Sequence, residues 1–192
     1  MAHKDRVVNL IGSYNPHEIF ITAPSCTGKT TLSKYLASKY GYIHIELDVE
    51  IINLGADVSQ TYKSKTLTES QRKLKKIIDS YRTEYNKIIF DGSLSSLNFL
   101  KELFVGNSTT ILLFLYPVNY KRYLKRVYSR FKAEWFSGNH TLALWNDIDY
   151  SDLKDKRLIK LNLKKMVLTR MVDSQIRWEK MRGINNVFKV IV

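Results

Sequence analysis

The residues with the clearest chemical meaning stand near the start of the chain, in the segment 23–31. Its first eight residues, Ala-Pro-Ser-Cys-Thr-Gly-Lys-Thr, match the pattern A/G-x-x-x-x-G-K-S/T. A loop of this kind wraps its backbone N–H groups around an anionic phosphate and leads into a helix whose N-terminus favours negative charge. The lysine reaches the β- and γ-phosphates, and the hydroxyl that follows it can bind Mg²⁺. The residues predicted to bind a nucleoside triphosphate are Ser25, Cys26, Thr27, Gly28, Lys29, Thr30 and Thr31.

A carboxylate follows the apolar segment 87–90. Asp91 comes directly after Lys-Ile-Ile-Phe, and Gly92 and Ser93 follow it. A carboxylate at the end of a strand beside a phosphate loop can hold Mg²⁺ directly or through water. We therefore predict that Thr30 and Asp91 form the metal side of the site. The alternative is that Asp91 caps a helix that begins after Ser93.

A second carboxylate, Asp48, follows the apolar segment 42–47. Phosphoryl transfer to a phosphate acceptor needs only cations, whereas transfer to a hydroxyl also needs a group that takes up its proton. Ligands of parallel α/β sheets gather at the carboxyl ends of the strands, where Asp48 is expected. We predict that Asp48 is this general base. A helix cap before residues 49–54 is the alternative interpretation.

Three arginines recur at every fourth position of a basic segment. Arg122, Arg126 and Arg130 share one face if residues 120–136 are helical. Arginines clamp a transferring phosphoryl group and neutralise the charge that develops on it. We predict this function, together with Lys29, for Arg126 and Arg130, and a solvated helix face is the alternative. The secondary candidates are Arg157, Arg170 and Arg177.

The periodicity of the apolar residues indicates how these side chains are positioned. Short apolar segments predict strands at 18–23, 42–47, 87–90, 110–116 and 187–192. Helical spacing predicts helices at 29–40, 67–85, 120–136 and 158–181. Gly41 is predicted to end the first of these, and Thr68 with Gln71 predicts a capping box at the start of the second. Strands that alternate with helices predict a parallel sheet with helices on both faces. Residues 1–17 fit either a helix or a strand, and the irregular segment 137–150, flanked by Trp135 and Trp145, is predicted to be a flap.

Length and composition predict one domain over residues 1–192. Hydrophobic residues make up 44% of the chain, no apolar segment reaches 18 residues, and the N-terminal apolar segment is too short for a signal peptide. One cysteine, Cys26, fits a reducing compartment. We therefore expect a cytoplasmic protein without a membrane span. The oligomeric state has no signature in the sequence.

The charge of the chain is uneven. The 31 basic and 18 acidic residues give a net charge of +13, of which +10 falls in residues 117–192. A basic half predicts a polyanionic partner such as nucleotide phosphates, nucleic acid or an anionic surface. A solubilising face is the alternative.

These residues together resemble the small P-loop kinase superfamily, which includes nucleoside monophosphate kinases, shikimate and gluconate kinases, and the kinase domain of polynucleotide kinases. The resemblance covers residues 18–192 and depends on the segment 23–31, on Asp48, on Ile89-Phe90-Asp91-Gly92 and on the segment 111–130. It implies a P-loop NTPase fold, a three-layer α/β/α architecture with a five-stranded parallel sheet of order 2-3-1-4-5. It also implies ATP, Mg²⁺ and an arginine-bearing lid at about 131–156.

An aspartate at the position of Asp48 resembles the shikimate, gluconate and polynucleotide kinases, in which it faces the acceptor hydroxyl. The chain has Asp91-Gly92-Ser93-Leu94 where adenylate kinases have Asp-Gly-Phe-Pro-Arg, and it lacks the glycine-rich acceptor motif of shikimate kinases. We therefore expect a kinase that phosphorylates a hydroxyl of a nucleic acid or nucleotide, such as a 5′-hydroxyl end or a hydroxymethylated base in DNA. The alternatives are a (deoxy)nucleoside monophosphate kinase, a small-molecule hydroxyl kinase, and a non-catalytic nucleic-acid-binding protein with a nucleotide switch.

Overall fold

The computed structural model describes residues 2–55, 68–93, 97–104, 109–137 and 155–192. Strands and helices alternate along these residues, as the sequence predicts. The strands are β1 (Glu18–Thr22), β2 (Ile43–Glu46), β3 (Ile88–Gly92), β4 (Thr110–Tyr116) and β5 (Val187–Ile191). The helices are α1 (Ala2–Tyr14), α2 (Lys29–Tyr40), α3 (Leu47–Asn53), α4 (Glu69–Glu84), α5 (Leu97–Phe104), α6 (Tyr120–Ser137) and α7 (Lys156–Met181).

The five strands form one parallel sheet in the order β2-β3-β1-β4-β5. This arrangement confirms both the α/β class and the strand order implied by the resemblance. Strand β1 lies at the centre, and its last residue, Thr22, pairs with Gly92 of β3 and Phe114 of β4. The segments that follow β1 and β3 therefore leave the same edge of the sheet side by side.

Helices cover the sheet on both faces, and two hydrophobic cores result. Successive side chains of a strand point to opposite faces. In β1, Phe20 packs in one core with residues of α3 and α4, whereas Ile19 and Ile21 pack in the other with residues of α2. The second core also contains Val7 and Ile11, so residues 2–14 form a helix that packs against the sheet. This settles the ambiguity of the N-terminal segment in favour of a helix.

Helices α6 and α7 form a third cluster of their own. Its buried members are Tyr123, Val127, Phe131, Ile159, Leu163, Met166 and Val167. The predicted lid at 131–156 begins within α6, which continues to Ser137. The remainder of the predicted flap, including Trp145, lies outside the described residues.

The ends of the helices follow the local sequence closely. Gly41 has a φ of 73°, and its N–H donates to Ala37 O at 2.9 Å, which ends α2 as predicted. At the start of α4, the side chain of Thr68 accepts from Gln71 N at 3.2 Å while the side chain of Gln71 accepts from Thr68 N at 3.0 Å. This is the predicted capping box.

None of the described helices is both long and apolar enough to cross a membrane.

Candidate functional site

The phosphate loop occupies the predicted place between β1 and α2. Cys26 and Gly28 adopt left-handed conformations, with φ of 67° and 99°. Glycine takes this conformation freely, whereas a cysteine is strained in it, by about 1 kcal/mol or more. The Thr27 hydroxyl donates to Pro24 O at 2.7 Å and closes the loop from within. Right- and left-handed residues in succession form a concave nest of N–H groups, which suits an anion.

The loop forms the floor of a cleft of about 490 Å³. This volume lies within the usual range for pockets that bind small ligands. The residues that line it are Cys26, Thr27, Gly28, Lys29, Thr30, Thr31, Leu32, Leu115, Arg126, Arg130 and Val192. All the predicted loop residues except Ser25 therefore line one cleft with Arg126 and Arg130, whereas Asp48 and Asp91 are not among its lining residues.

Lys29 is buried at the start of α2, and its ammonium group is held by oxygens. The Nζ donates to Ala23 O at 3.2 Å and to Ser93 Oγ at 3.3 Å. Burial lowers the pKa of Lys29, and the nearby carboxylates of Asp48 and Asp91 oppose that shift. The predicted lysine and the two predicted carboxylates thus belong to one electrostatic group.

Asp48 lies in the first turn of α3 and is oriented by Ser93. The N–H of Ser93 donates to Asp48 Oδ1 at 3.1 Å, and its hydroxyl lies 3.4 Å from Oδ2. Helix α3 begins two residues earlier than predicted, so Glu46 occupies the N-cap and makes no side-chain cap bond. Asp48 is therefore not the helix cap of the alternative interpretation. Its carboxylate connects through Ser93 to Lys29.

Asp91 lies inside β3, opposite Glu46 of β2, and is 2% exposed. The prediction ended this strand at Phe90, one residue before Asp91. The imidazole Nε2 of His44 lies 2.8 Å from Asp91 Oδ2. His44 is a diagonal neighbour of Asp91 across the two strands, a relation that only the register reveals. The sequence alone gives His44 no function, and the structure makes it the partner of the predicted metal ligand.

Helix α6 contacts the loop with three side chains. Tyr123 OH donates to Ser25 O at 2.9 Å, and Arg126 Nη1 donates to Thr27 O at 3.2 Å. Arg130 forms an ion pair with Glu134 at 2.7 Å and also hydrogen-bonds the Cys26 thiol. Arg122, one turn before Arg126, is exposed. The predicted arginine face therefore divides, and only its last two members reach the loop.

Helix α7 adds two further arginines, which were secondary candidates. Burial raises the pKa of Cys26, and the cations Arg130, Arg170 and Lys29 oppose that shift, so Arg170 lies near the loop. Burial lowers the pKa of Arg177, and the positive charge of Arg170 contributes in the same direction. Arg157, the remaining candidate, is exposed in the first turn of α7.

The donor set of the site fits Mg²⁺. Thr30 supplies a hydroxyl, and Asp91 retains an oxygen, Oδ1, beside the one that pairs with His44. Magnesium is usually held by one or two carboxylates together with phosphate oxygens and water. In the part of the chain that the structure describes, no three His, Cys, Asp or Glu residues form a metal-binding group. Asp91 is 2% exposed and is not among the residues that line the cleft, whereas Thr30 is.

No protein-family model matches the sequence, and no curated protein matches it. Solved structures do match. A gluconokinase from Sinorhizobium meliloti 1021 is similar with a TM-score of 0.52 and 16% identity, over 92% of this chain and 83% of that one. A chain of the Pnkp1/Rnl/Hen1 RNA repair complex is similar with a TM-score of 0.52 and 13% identity, over 86% of this chain and 46% of that one. An uncharacterized protein from Eubacterium ventriosum ATCC 27560 has a TM-score of 0.50 and 17% identity, over 91% and 88% of the chains.

At these identities the likeness shows the fold. The strand order and the position of the phosphate loop agree with it. The chain has a P-loop kinase-like fold, as the sequence resemblance implies.

Proposed function

We propose that this protein is an ATP- and Mg²⁺-dependent kinase that transfers the γ-phosphate to a hydroxyl group of a nucleic acid or nucleotide. The observation that carries the proposal is the connected group of Lys29, Ser93 and Asp48. Ser93 Oγ lies 3.3 Å from the ammonium of Lys29 and 3.4 Å from Asp48 Oδ2. A general base is thereby held beside the cation that is expected to contact the β- and γ-phosphates.

The proposed reaction needs a proton acceptor. The acceptor oxygen forms a bond to the γ-phosphorus, the bond from that phosphorus to the β-phosphate oxygen breaks, and ADP leaves. The hydroxyl proton passes to the carboxylate of Asp48, which the N–H of Ser93 keeps in one orientation. A phosphate acceptor is already anionic and would give Asp48 no comparable task.

Cations around the loop would stabilise the charge on the transferring group. Arg126 and Arg130 line the cleft beside Lys29. Fixed positive groups at the position where negative charge develops lower the barrier to transfer. Magnesium, when bound with the nucleotide, withdraws charge from the phosphates, and Thr30 and Asp91 are the residues that would hold it.

The uneven charge supports a polyanionic acceptor. Residues 117–192 carry +10 of the net +13, and two of their arginines, Arg126 and Arg130, line the cleft. A small neutral alcohol would gain little from such a field, whereas a phosphate backbone gains attraction and faster encounter.

A nucleoside monophosphate kinase is the second candidate. The four arginines Arg126, Arg130, Arg170 and Arg177 lie on the two helices that pack beside the loop. Such a group could hold an acceptor phosphate as well as the transferring one. Asp48 distinguishes the two candidates, because only the hydroxyl acceptor requires a base.

The test is transfer of radiolabelled γ-phosphate to a panel of acceptors. The panel contains DNA and RNA with 5′-hydroxyl ends, DNA with hydroxymethylated bases, nucleoside monophosphates and small alcohols, with Lys29→Ala as the blank. We expect labelling of a nucleic acid or nucleotide hydroxyl. Activity equal to that of the blank on every acceptor would refute the proposed kinase function.

Asp48→Asn tests the base. We expect transfer to a hydroxyl to fall by about a hundredfold or more, while binding of nucleotide is retained. Glu50→Gln is the matched control on the same helix, where Glu50 accepts a hydrogen bond from Tyr81 OH at 3.3 Å. Full transfer by Asp48→Asn, with a monophosphate as the labelled acceptor, would favour the second candidate.

A further inference from the structure

Helix α7 is apolar on two opposite sides. Its inner side packs in the third cluster through Ile159, Leu163, Met166 and Val167. Its outer side carries five large aliphatic side chains that are 39–58% exposed: Leu158, Leu161, Leu168, Val172 and Ile176. We call these five residues the outer stripe. A helix that is apolar on both sides is usually covered on both sides.

The outer stripe is continuous along the helix. Its positions 158, 161, 168, 172 and 176, together with Lys165, follow one another in steps of three or four residues. Such steps keep side chains on one face. At 1.5 Å per residue the stripe is about 27 Å long. Lys165 is its one polar position, so an occupant must offer a group that suits an ammonium near the middle of an apolar surface.

The charges of α7 are arranged asymmetrically around the stripe. Between residues 156 and 172 there is no acidic residue, and the exposed cations there are Lys156, Arg157, Lys160, Lys164 and Lys165. The acidic residues of the helix, Asp173 and Glu179, lie in its last third, and both are exposed. The last third also carries Arg177 and Lys180 and is therefore close to neutral, whereas the first two thirds are strongly basic.

We propose that the outer stripe is a homodimer interface, in which two copies of α7 pack antiparallel about a twofold axis near Leu168. In this register Leu161 lies opposite the partner's Ile176, and Leu168 meets the partner's Leu168. Lys165 comes next to the partner's Asp173, and Arg157 next to the partner's Glu179. A single antiparallel register therefore matches the apolar pairs and both ion pairs to within one residue.

Other arrangements fit the same surface less well. A parallel pair would bring the basic ends of both helices together, and like charges in contact are destabilising. A lipid surface would receive the aliphatic side chains but would also meet Lys165 within the apolar face and the two carboxylates beside it. A second antiparallel copy provides a carboxylate for Lys165. The proposal does not depend on the reaction that the cleft catalyses.

The first experiment measures the molar mass of the full chain by light scattering over a range of concentrations. We expect twice the chain mass of 22.5 kDa at high concentration. Leu168→Glu should shift the mass to that of one chain, because it places two carboxylates at the centre of the interface. Ile52→Glu is the matched control, since Ile52 and Leu168 are both 53% exposed. It should leave the dimer intact.

The second experiment tests the register by cross-linking under mild oxidation. The chain has one cysteine, Cys26, which lies in the phosphate loop, so the unsubstituted protein is the background. Leu168→Cys should form a disulfide-linked dimer, because the two Cα atoms must approach to about 7 Å or less. Leu158→Cys should not, since two copies of position 158 would lie about 30 Å apart along the helices.

Each other outcome overturns the proposal. A mass of one chain at all concentrations excludes the dimer, and pelleting of that monomer with anionic vesicles would assign the stripe to a membrane surface. A dimer that Leu168→Glu leaves intact uses another surface. Cross-linking at both position 158 and position 168 would indicate a parallel pair.

Discussion

The phosphate loop and helix α6 contribute to the same cleft in different ways. The loop is one contiguous segment that presents mainly backbone N–H groups, and its position is fixed by the buried central strand β1. Helix α6 contributes two long cationic side chains, those of Arg126 and Arg130. Helix α7, which packs against α6, carries the further arginines Arg170 and Arg177.

The loop and α6 differ in how precisely the positions of their phosphate-binding groups are fixed. The sheet and the closed turn of the loop leave its backbone little freedom, whereas three of the contacts of α6 with the loop are hydrogen bonds made by side chains, those of Tyr123, Arg126 and Arg130. Binding of phosphate therefore depends on the backbone, and adjustment to the transferring group depends on the arginines. The following predictions separate these contributions, beginning with the largest effect.

Replacing Lys29 with methionine removes the one cationic side chain that belongs to the loop itself. We expect transfer to fall by about a thousandfold, because a fixed positive group at the phosphates is lost from a buried position. The methionine fills a similar volume, so the protein should remain folded by circular dichroism. Retention of even a tenth of the transfer rate would show that the backbone and the arginines suffice.

Replacing Arg126 or Arg130 with alanine should lower kcat by about a hundredfold and change nucleotide binding little. The reason is that these side chains are expected to act on the transferring group, whereas the loop holds the nucleotide. Arg122→Ala is the control from the same helix, since Arg122 is not among the residues that line the cleft. If all three substitutions have equal effects on kcat, the arginines act through the general field and not at the cleft.

His44→Leu should raise the Mg²⁺ concentration required by the protein–nucleotide complex by about tenfold, because partners of metal ligands contribute on that scale. The measurement is calorimetric titration of metal into the complex with ADP, which does not require turnover. His44→Gln should restore most of the affinity, since its amide can donate to Asp91 as Nε2 of the imidazole can. An unchanged metal affinity for the leucine variant would show that Asp91 does not hold the metal ion.

The smallest effect concerns Cys26. Burial raises its pKa, and Arg130, Arg170 and Lys29 only partly oppose the shift. At pH 7.5 the folded chain should therefore be alkylated by iodoacetamide more slowly than the urea-unfolded chain, because less thiolate is present. The rate in the folded chain should rise at a higher pH than in the unfolded chain. A faster reaction in the folded state would mean that the cations lower the pKa of Cys26 by more than burial raises it.

The sequence predicts best what is local. The phosphate loop, the stop at Gly41 and the capping box of Thr68 and Gln71 depend on residues close together in the chain, and the structure shows all three features as expected. The strand order was implied by the resemblance, and the sheet confirms it. The start of α3 was placed two residues late because Leu47 and Asp48 fit the end of a strand as well as the first turn of a helix.

Features that depend on packing were not predictable. His44 and Asp91 are 47 residues apart in the chain. Their pairing can be predicted only when the register of the two strands is known. The outer stripe of α7 is not predictable because helical periodicity identifies apolar positions but does not say which of two apolar sides faces the core. The functions of Asp48, Asp91 and the arginines remain predictions, which the experiments above test.

The position of β1 at the centre of the sheet has a consequence for biosynthesis. Its neighbouring strands are residues 88–92 and 110–114, so its two strand pairings join segments 70 and 92 residues apart. A ribosome that adds roughly 5–20 residues per second leaves β1 without β4 for about 5 to 20 seconds. During that time the central strand of the sheet lacks its final cover, and the loop that follows it cannot be held in place. Nucleotide can therefore act as a folding ligand only after most of the chain has been made.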